Sequence, residues 1–232
     1  MRPGTQEIRF TRYLAYFLDP QKNHGLGTSL LRCVLDQEAC SFGLQENWVD
    51  DCSVIPEFWL GNYIDKNGRK TGCFSDIGIG GSDFAFVIEQ KISSGEGPAG
   101  ETGLSQLRRY SKVLEENPAF AGKKVIKIYL TPSGREKGDI DDWLAISHLQ
   151  IIERARQRLA DTGISSVARE NLRRLLIDLS LGPYDETEEL ISEIEGAAVG
   201  ITGDPVSIQE VVKFRRLVEN NRLLVNLLLE GS

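Results

Sequence analysis

CFSDIGIGGSDFAFVIEQKISS, residues 73–94, holds two apolar stretches around a Gly-Gly-Ser-Asp turn, and the second stretch carries two opposite charges. Phe84 to Ile92 reads as a buried β-strand because Phe, Val and Ile dominate it. Glu89 and Lys91 nevertheless follow directly on Val87 and Ile88. An unpaired charge in such a strand costs several kcal/mol, so ions placed there have a partner, a metal or a task.

The turn sets the register. With Ser82 and Asp83 as the two loop residues, Gly81 faces Phe84 and opposed residues sum to 165, which puts Asp76 across from Glu89. Directly opposed residues have Cβ atoms about 4.5–5.5 Å apart and point to one face. Side chains alternate along a strand, so Lys91 shares that face with Glu89. The same face holds the small residues Gly78, Gly80 and Ala85, while Ile77, Ile79, Phe86, Ile88 and Ile92 make the other face a core. A slip of one residue would scatter the ions, which makes the register a commitment.

Two carboxylates this close repel each other unless a positive charge lies between them. A hard divalent cation such as Mg²⁺ or Mn²⁺ takes oxygen ligands, keeps several waters and binds phosphate, and Asp76 and Glu89 suit it. The peptide carbonyl of Gln90 can add a further oxygen. Lys91 is a compact ammonium that can orient or deprotonate a water, or steady charge developing on a phosphate. Such a set meets the needs of phosphodiester hydrolysis. A plainer alternative is a structural Asp–Lys–Glu ion cluster on a solvated sheet face.

Outward from the hairpin, residues 7–19 carry apolar groups mostly at helical spacing, and Pro20 ends that helix. Thr28 or Ser29 opens a second helix to about Glu38. Residues 53–64 read as a strand in which Pro56 favours an edge or a bulge, and "DKNG" (65–68) is a hairpin turn. After the charged strand come a Gly-rich loop (94–103), an amphipathic helix (104–116) and a strand (124–132). From 141 onward the pattern is mainly helical, with breaks near Gly163, Gly182 and 200–204. Strands framed by helices, then a helical tail, predict an α/β core with a mixed sheet of about four or five strands. The expected organisation is a single domain over 1–232, with its core at about 7–150 and a helical extension over about 151–232.

The bulk properties narrow the class. The chain of 232 residues is 41% hydrophobic and 26% charged, a balance that supports a packed core in water. No apolar run nears a membrane span, and MRPGTQEIRF is too polar for a secretory signal, so a cytoplasmic location is expected. The four cysteines (Cys33, Cys40, Cys52, Cys73) form no CxxC pair and read as reduced, packed thiols. A net charge of −7 argues against a protein that coats nucleic acid without specificity, although basic residues gather at Arg108, Arg109, Lys112, Lys123, Lys124 and Lys127.

"SDIGI" with Asp76, "VIEQKI" with Glu89 and Lys91, and "QLRRYSKVL" with Gln106 resemble the PD-(D/E)XK nuclease superfamily, in particular a branch of small prokaryotic and phage members. "YLAYFLDPQKNHGLG" (13–27) and "IYLTPSG" (128–134) strengthen the resemblance, which spans about residues 7–150. It implies a restriction-endonuclease-like fold, with Asp76 and Glu89 as metal ligands and Lys91 as the catalytic lysine. Gln106 matches a glutamine that supports the site, and Glu7 on the first helix an acidic residue that joins or backs the metal. Two positions depart from the pattern: Ser75 replaces the motif's proline, and Phe74 stands where this branch often has arginine.

Several residues carry two readings. His24 in "NHGLG" is expected to order its loop through backbone hydrogen bonds, and His148 to lie in the core or at a helix start. Glu7 equally suits the helix dipole. Arg108 and Lys112 form a basic helix face, with Arg109 beside it; these three either grip phosphates or are solvated surface. The helix expected at 206–229 packs on the core or pairs subunits, so a homodimer is one expectation. The function expected is Mg²⁺- or Mn²⁺-dependent hydrolysis of phosphodiester bonds in DNA. Its rival is a catalytically idle nuclease fold that binds nucleic acid or a protein partner.

Overall fold

A computed structural model of the chain describes residues 3–91, 105–131, 142–159 and 163–181. Five helices and five strands follow in the order α1 (Pro3–Leu18), α2 (Ser29–Ser41), β1 (Ser53–Ile64), β2 (Lys70–Gly80), β3 (Phe84–Gln90), α3 (Gln106–Glu116), β4 (Lys124–Thr131), β5 (Leu144–Ser147), α4 (His148–Leu159) and α5 (Ser166–Leu181), counted among the described residues. The loop expected at 94–103 and the helix expected at 206–229 lie outside them, and of Glu7 only the backbone position in α1 is described.

The strands form one sheet in the order β1-β2-β3-β4-β5. β1, β2 and β3 pair antiparallel, and β3–β4 and β4–β5 pair parallel. The two modes follow from the connections. Tight turns can join only antiparallel neighbours, whereas α3 lies in the long connection that a parallel return requires. The first turn is closed by the Gly68 N–H to the Asp65 carbonyl (3.0 Å), with Gly68 at φ +79°. The second is closed by the Gly81 N–H to the Phe84 carbonyl (3.2 Å). β2 and β3 then pair Ile77↔Ile88, Gly78↔Val87, Ile79↔Phe86 and Gly80↔Ala85, the register in which partners sum to 165.

Every residue of β3 is buried. Helices cover both faces of the sheet there, which explains a continuous apolar run in place of alternation. Ile77, Ile79, Phe86 and Ile88 join Ile126, Ile128 and Leu130 of β4 beneath α1, α2, α4 and α5. On the other face Ala85, Val87 and Tyr129 pack with Leu60, Trp143 and the Leu107, Tyr110, Val113 and Leu114 stripe of α3. α3 starts where Ser105 accepts the Arg108 N–H on its hydroxyl (3.4 Å), a side-chain N-cap.

Two details differ from the expectation. Residues 144–147 form a strand where a helical pattern was expected; four residues are too few for a period to register, and pairing with β4 decides their state. α1 begins at Pro3, earlier than its apolar stripe, because proline fits the first turn of a helix, where the missing N–H is not needed. β1 does occupy the sheet edge, as Pro56 suggested, and it bulges between Trp59 and Gly61. Gly61 there has φ +133°, which L side chains rarely adopt, and a Cβ would press within 2.9 Å of Val113.

Candidate active site

Asp76 and Glu89 meet where the β2–β3 ladder stops. The last backbone pair is Ile77↔Ile88, and one step beyond it the Asp76 carboxylate replaces the ladder: Oδ2 accepts the Gln90 N–H at 2.7 Å. The Lys91 N–H instead bonds the Leu130 carbonyl of β4 at 2.9 Å. Along a strand, a residue's N–H and C=O point the same way and successive residues alternate. The Gln90 peptide carbonyl therefore lies on the β2 side, with the Asp76 carboxylate.

Glu89 is only 2% exposed, a degree of burial at which a carboxylate must be compensated. Its Oε1 receives Lys91 Nζ at 2.7 Å and Gln106 Nε2 at 2.7 Å. Gln106, the first residue of α3, also donates to the Tyr110 hydroxyl at 2.8 Å, and that hydroxyl donates to the Phe74 carbonyl at 2.5 Å. One chain of hydrogen bonds thus runs from β3 through the opening turn of α3 to β2. Burial first, and then the Glu89 carboxylate beside it, push the Tyr110 phenol well above its ordinary pKa and keep it a donor. Asp76 acts in the same direction more weakly, which puts both carboxylates in reach of this ring.

Behind the site, the Gln90 side chain enters the opposite face. It is fully buried, and its amide nitrogen lies 3.3 Å from His148 Nε2 at the start of α4. Burial lowers the His148 pKa to about 4, so the ring is neutral and its Nε2 accepts from Gln90. Phe10 of α1 packs on the same imidazole with ring centroids 5.8 Å apart. The Gln90 Oε1 and the nearby helix's Thr11 Oγ1 are buried without a hydrogen-bond partner among the described residues.

Across β2 from Asp76, between the pairs Pro56↔Ile77 and Phe58↔Ser75, stands Glu57 with φ +51°. Among the described residues it alone combines a side chain with positive φ, a conformation worth about 1–3 kcal/mol of strain. Its carboxylate pairs with Arg12 of α1 at 2.7 Å.

The expected residues separate into three groups. Asp76, Glu89, Gln90, Lys91 and Gln106 come together. Glu7 lies on α1, its side chain outside the description. Of the three expected phosphate contacts on α3, Arg108 is exposed and Arg109 is partly buried. Lys112 is exposed, pairs with Glu116 at 3.8 Å and sits 5.5 Å over the Tyr63 ring. His148 lies in the core and at a helix start, as expected, but sequence reasoning missed its contact with the Gln90 side chain, and it missed the site roles of Tyr110 and Glu57. For Tyr110 a signal existed, since it follows Gln106 by one helical turn. None existed for His148, which is 58 residues from Gln90. His24 does order its loop: Nδ1 accepts the Leu26 N–H at 3.0 Å and Nε2 meets the Asp19 carbonyl at 2.8 Å.

Two carboxylates and a strand-end carbonyl make an all-oxygen donor set of the kind Mg²⁺ and Mn²⁺ take, with waters completing the shell. No group of three or more His, Cys, Asp or Glu side chains is arranged for a metal among the described residues. A cavity of about 410 Å³ lies on the sheet between Phe58, Trp59, Gly78, Gly80, Ala85 and Phe120, and neither carboxylate lines it.

The chain matches the family model of the PD-(D/E)XK nuclease superfamily over residues 1–178. No curated protein and no solved structure matches it.

Proposed function

The chain belongs to the PD-(D/E)XK nuclease superfamily, and on that premise we propose that it is a Mg²⁺- or Mn²⁺-dependent nuclease that hydrolyses phosphodiester bonds in DNA. The observation that carries this reading is the arrangement of Asp76, Glu89 and Lys91 at one ladder end, braced by Gln106. Asp76, Glu89 and the Gln90 carbonyl would hold the ion. When bound, it supplies Lewis-acid polarisation of the phosphate and a lowered pKa for water.

The chain's own groups do the positioning. Gln106 and Lys91 fix Glu89 from two directions, and the Gln90 N–H fixes Asp76, so both carboxylates are set before substrate arrives. Preorganisation of this kind avoids the cost of reorganising charges during reaction. Lys91 is 15% exposed at its side chain, against 2% for Glu89, so its ammonium reaches toward the site opening while anchored on Oε1. From there it can align an attacking water and stabilise charge on the phosphoryl oxygens.

Incubating the protein with linear, circular and single-stranded DNA and with RNA, with Mg²⁺ or with EDTA, tests this reading. Cleavage of DNA that needs the metal and disappears in Asp76→Asn is expected. No cleavage of any substrate by a folded protein at millimolar Mg²⁺ or Mn²⁺ would overturn it in favour of a binding-only nuclease fold.

A further inference from the structure

The β1–β2 hairpin outruns the rest of the sheet. β2 leaves β3 after Ile77↔Ile88, while β1 and β2 stay paired as far as Ile64↔Lys70. A two-stranded arm therefore projects past the carboxylates. Where it begins, Trp59 and Phe74 are cross-strand partners, with ring centroids 4.7 Å apart and planes at 60°. Trp59 is 45% exposed and Phe74 52% exposed. Gly72 lets the indole lie against the strand, since a Cβ there would come within 2.9 Å of the Trp59 ring.

We propose that Trp59 and Phe74 form a stacking platform for an unpaired base of single-stranded nucleic acid, beside the phosphate addressed by Asp76, Glu89 and Lys91. This rests on the nuclease reading and narrows its substrate. Three features point to a nucleic-acid base over other apolar ligands. First, the platform adjoins the candidate active site along β2. Phe74 stands two residues from Asp76, about 7 Å along a strand, and its carbonyl is held by the Tyr110–Gln106–Glu89 chain. Second, charge complements a phosphate backbone: Lys66, Arg69 and Lys70 are exposed at the tip of the same arm of an otherwise acidic protein. Third, aromatic rings beside a cationic track are how single strands are held, because every base offers a π-face. In a duplex both base faces are covered, and exposing one costs a few kcal/mol of unstacking, so an unpaired segment is the preferred substrate.

The tryptophans supply the readout. Trp48 and Trp143 are 6% and 1% exposed, so quenching by an oligonucleotide reports chiefly on Trp59. Full-length protein in Ca²⁺, which limits turnover, is titrated with oligothymidylate, oligouridylate and a duplex of equal length. Saturable quenching by the single strands, stronger than by the duplex, is expected; the two homopolymer arms separate DNA from RNA as the source of the base. Trp59→Leu and Phe74→Leu should each weaken single-strand binding, measured by anisotropy, roughly 5- to 150-fold, the range base–aromatic stacking spans. Trp59→Phe should retain most of the affinity. Melting temperatures check each variant, and if one leucine variant fails to fold, the other and the wild-type quenching decide. Saturable single-strand binding without quenching, or leucine variants that bind like wild type, would overturn the platform. If wild type cleaves DNA in Mg²⁺ all the same, only the platform falls; a protein that neither binds nor cleaves overturns both readings.

Discussion

Gln106 joins α3 to β3 with one amide, because its Nε2 reaches both the Glu89 carboxylate and the Tyr110 hydroxyl, and that hydroxyl carries the link on to β2. A residue that orients a ligand without touching the ion contributes about 10- to 100-fold to activity. Gln106→Ala should therefore lower the cleavage rate by that factor, and Tyr110→Phe by less, with steady-state kinetics as the check. Lys91 is different, since it pairs with buried Glu89 and, on the proposed reading, also meets the phosphate. Lys91→Ala takes the ammonium from a buried carboxylate that keeps its Gln106 hydrogen bond, a loss that can reach about 3–5 kcal/mol in a dry interior and less at 15% exposure. Added Mg²⁺ should then raise the melting temperature of the variant more than that of wild type, because the ion replaces the missing positive charge. Equal shifts in the two proteins would make Lys91 irrelevant to the charge balance. Asp76, Glu89 and Lys91 were legible in the sequence because a two-residue turn and a period of two put three ions on one face. Their braces were less so: a hydroxyl seeking a backbone carbonyl 36 residues away leaves no local pattern.

At the scale of elements, β1 stores strain at Glu57, opposite Asp76 of β2. Glu57→Gly removes the side chain from a φ of +51° and loses only an exposed ion pair with Arg12. The net effect should be stabilising by up to about 1 kcal/mol, since left-handed backbone costs an L residue about 1–2 kcal/mol and surface pairs contribute little. Calorimetry should show a melting temperature higher by a few degrees; a lower one would mean that the Arg12 contact outweighs the strain. α4 brings the second test. His148 has its pKa lowered from 6.5 to about 4, so between those values the unfolded chain takes a proton that the folded ring refuses. Its contribution is complete above about pH 6.5 and is lost as pH falls toward 4, about 3 kcal/mol in all. The stability advantage of wild type over His148→Gln in urea titrations should shrink by that order from pH 7 to pH 4, and a constant difference would contradict a neutral buried imidazole. Strand β1 and the β2–β3 register followed from turn residues and β-formers. β5 did not, because a four-residue strand flanked by a helix owes its state to the β4 edge.

Among the described residues, helices cover both faces of the sheet around β3 and β4, with the ions at one open ladder end. Helices α4 and α5 share the core with α1 and α2 through Ile151, Ile152, Leu172, Leu175 and Leu176, so residues past 150 help to fix the platform on which the site stands. Arg154 ties α4 to α2 through the Val34 carbonyl (2.6 Å) and both oxygens of Glu38 (3.0 Å each). Among the described residues no helix is long and apolar enough to cross a membrane. With a net charge of −7, the chain would need local cations and a bound divalent ion to draw a polyanion to Asp76 and Glu89 on the proposed reading. Salt should therefore weaken substrate binding, and neutral variants of Arg108, Arg109 and Lys112 should flatten the slope of log K against log salt if these residues meet phosphates. The central claim is that Asp76, Glu89 and Lys91 form one metal-dependent phosphodiester-hydrolysing site. Its most direct test is the rate of DNA cleavage in Mg²⁺ by wild type, Asp76→Asn and Lys91→Ala, each preparation confirmed folded by its melting curve. The account predicts cleavage by wild type alone, abolished by EDTA and reduced by orders of magnitude in both variants; folded variants that cleave as fast as wild type would contradict it.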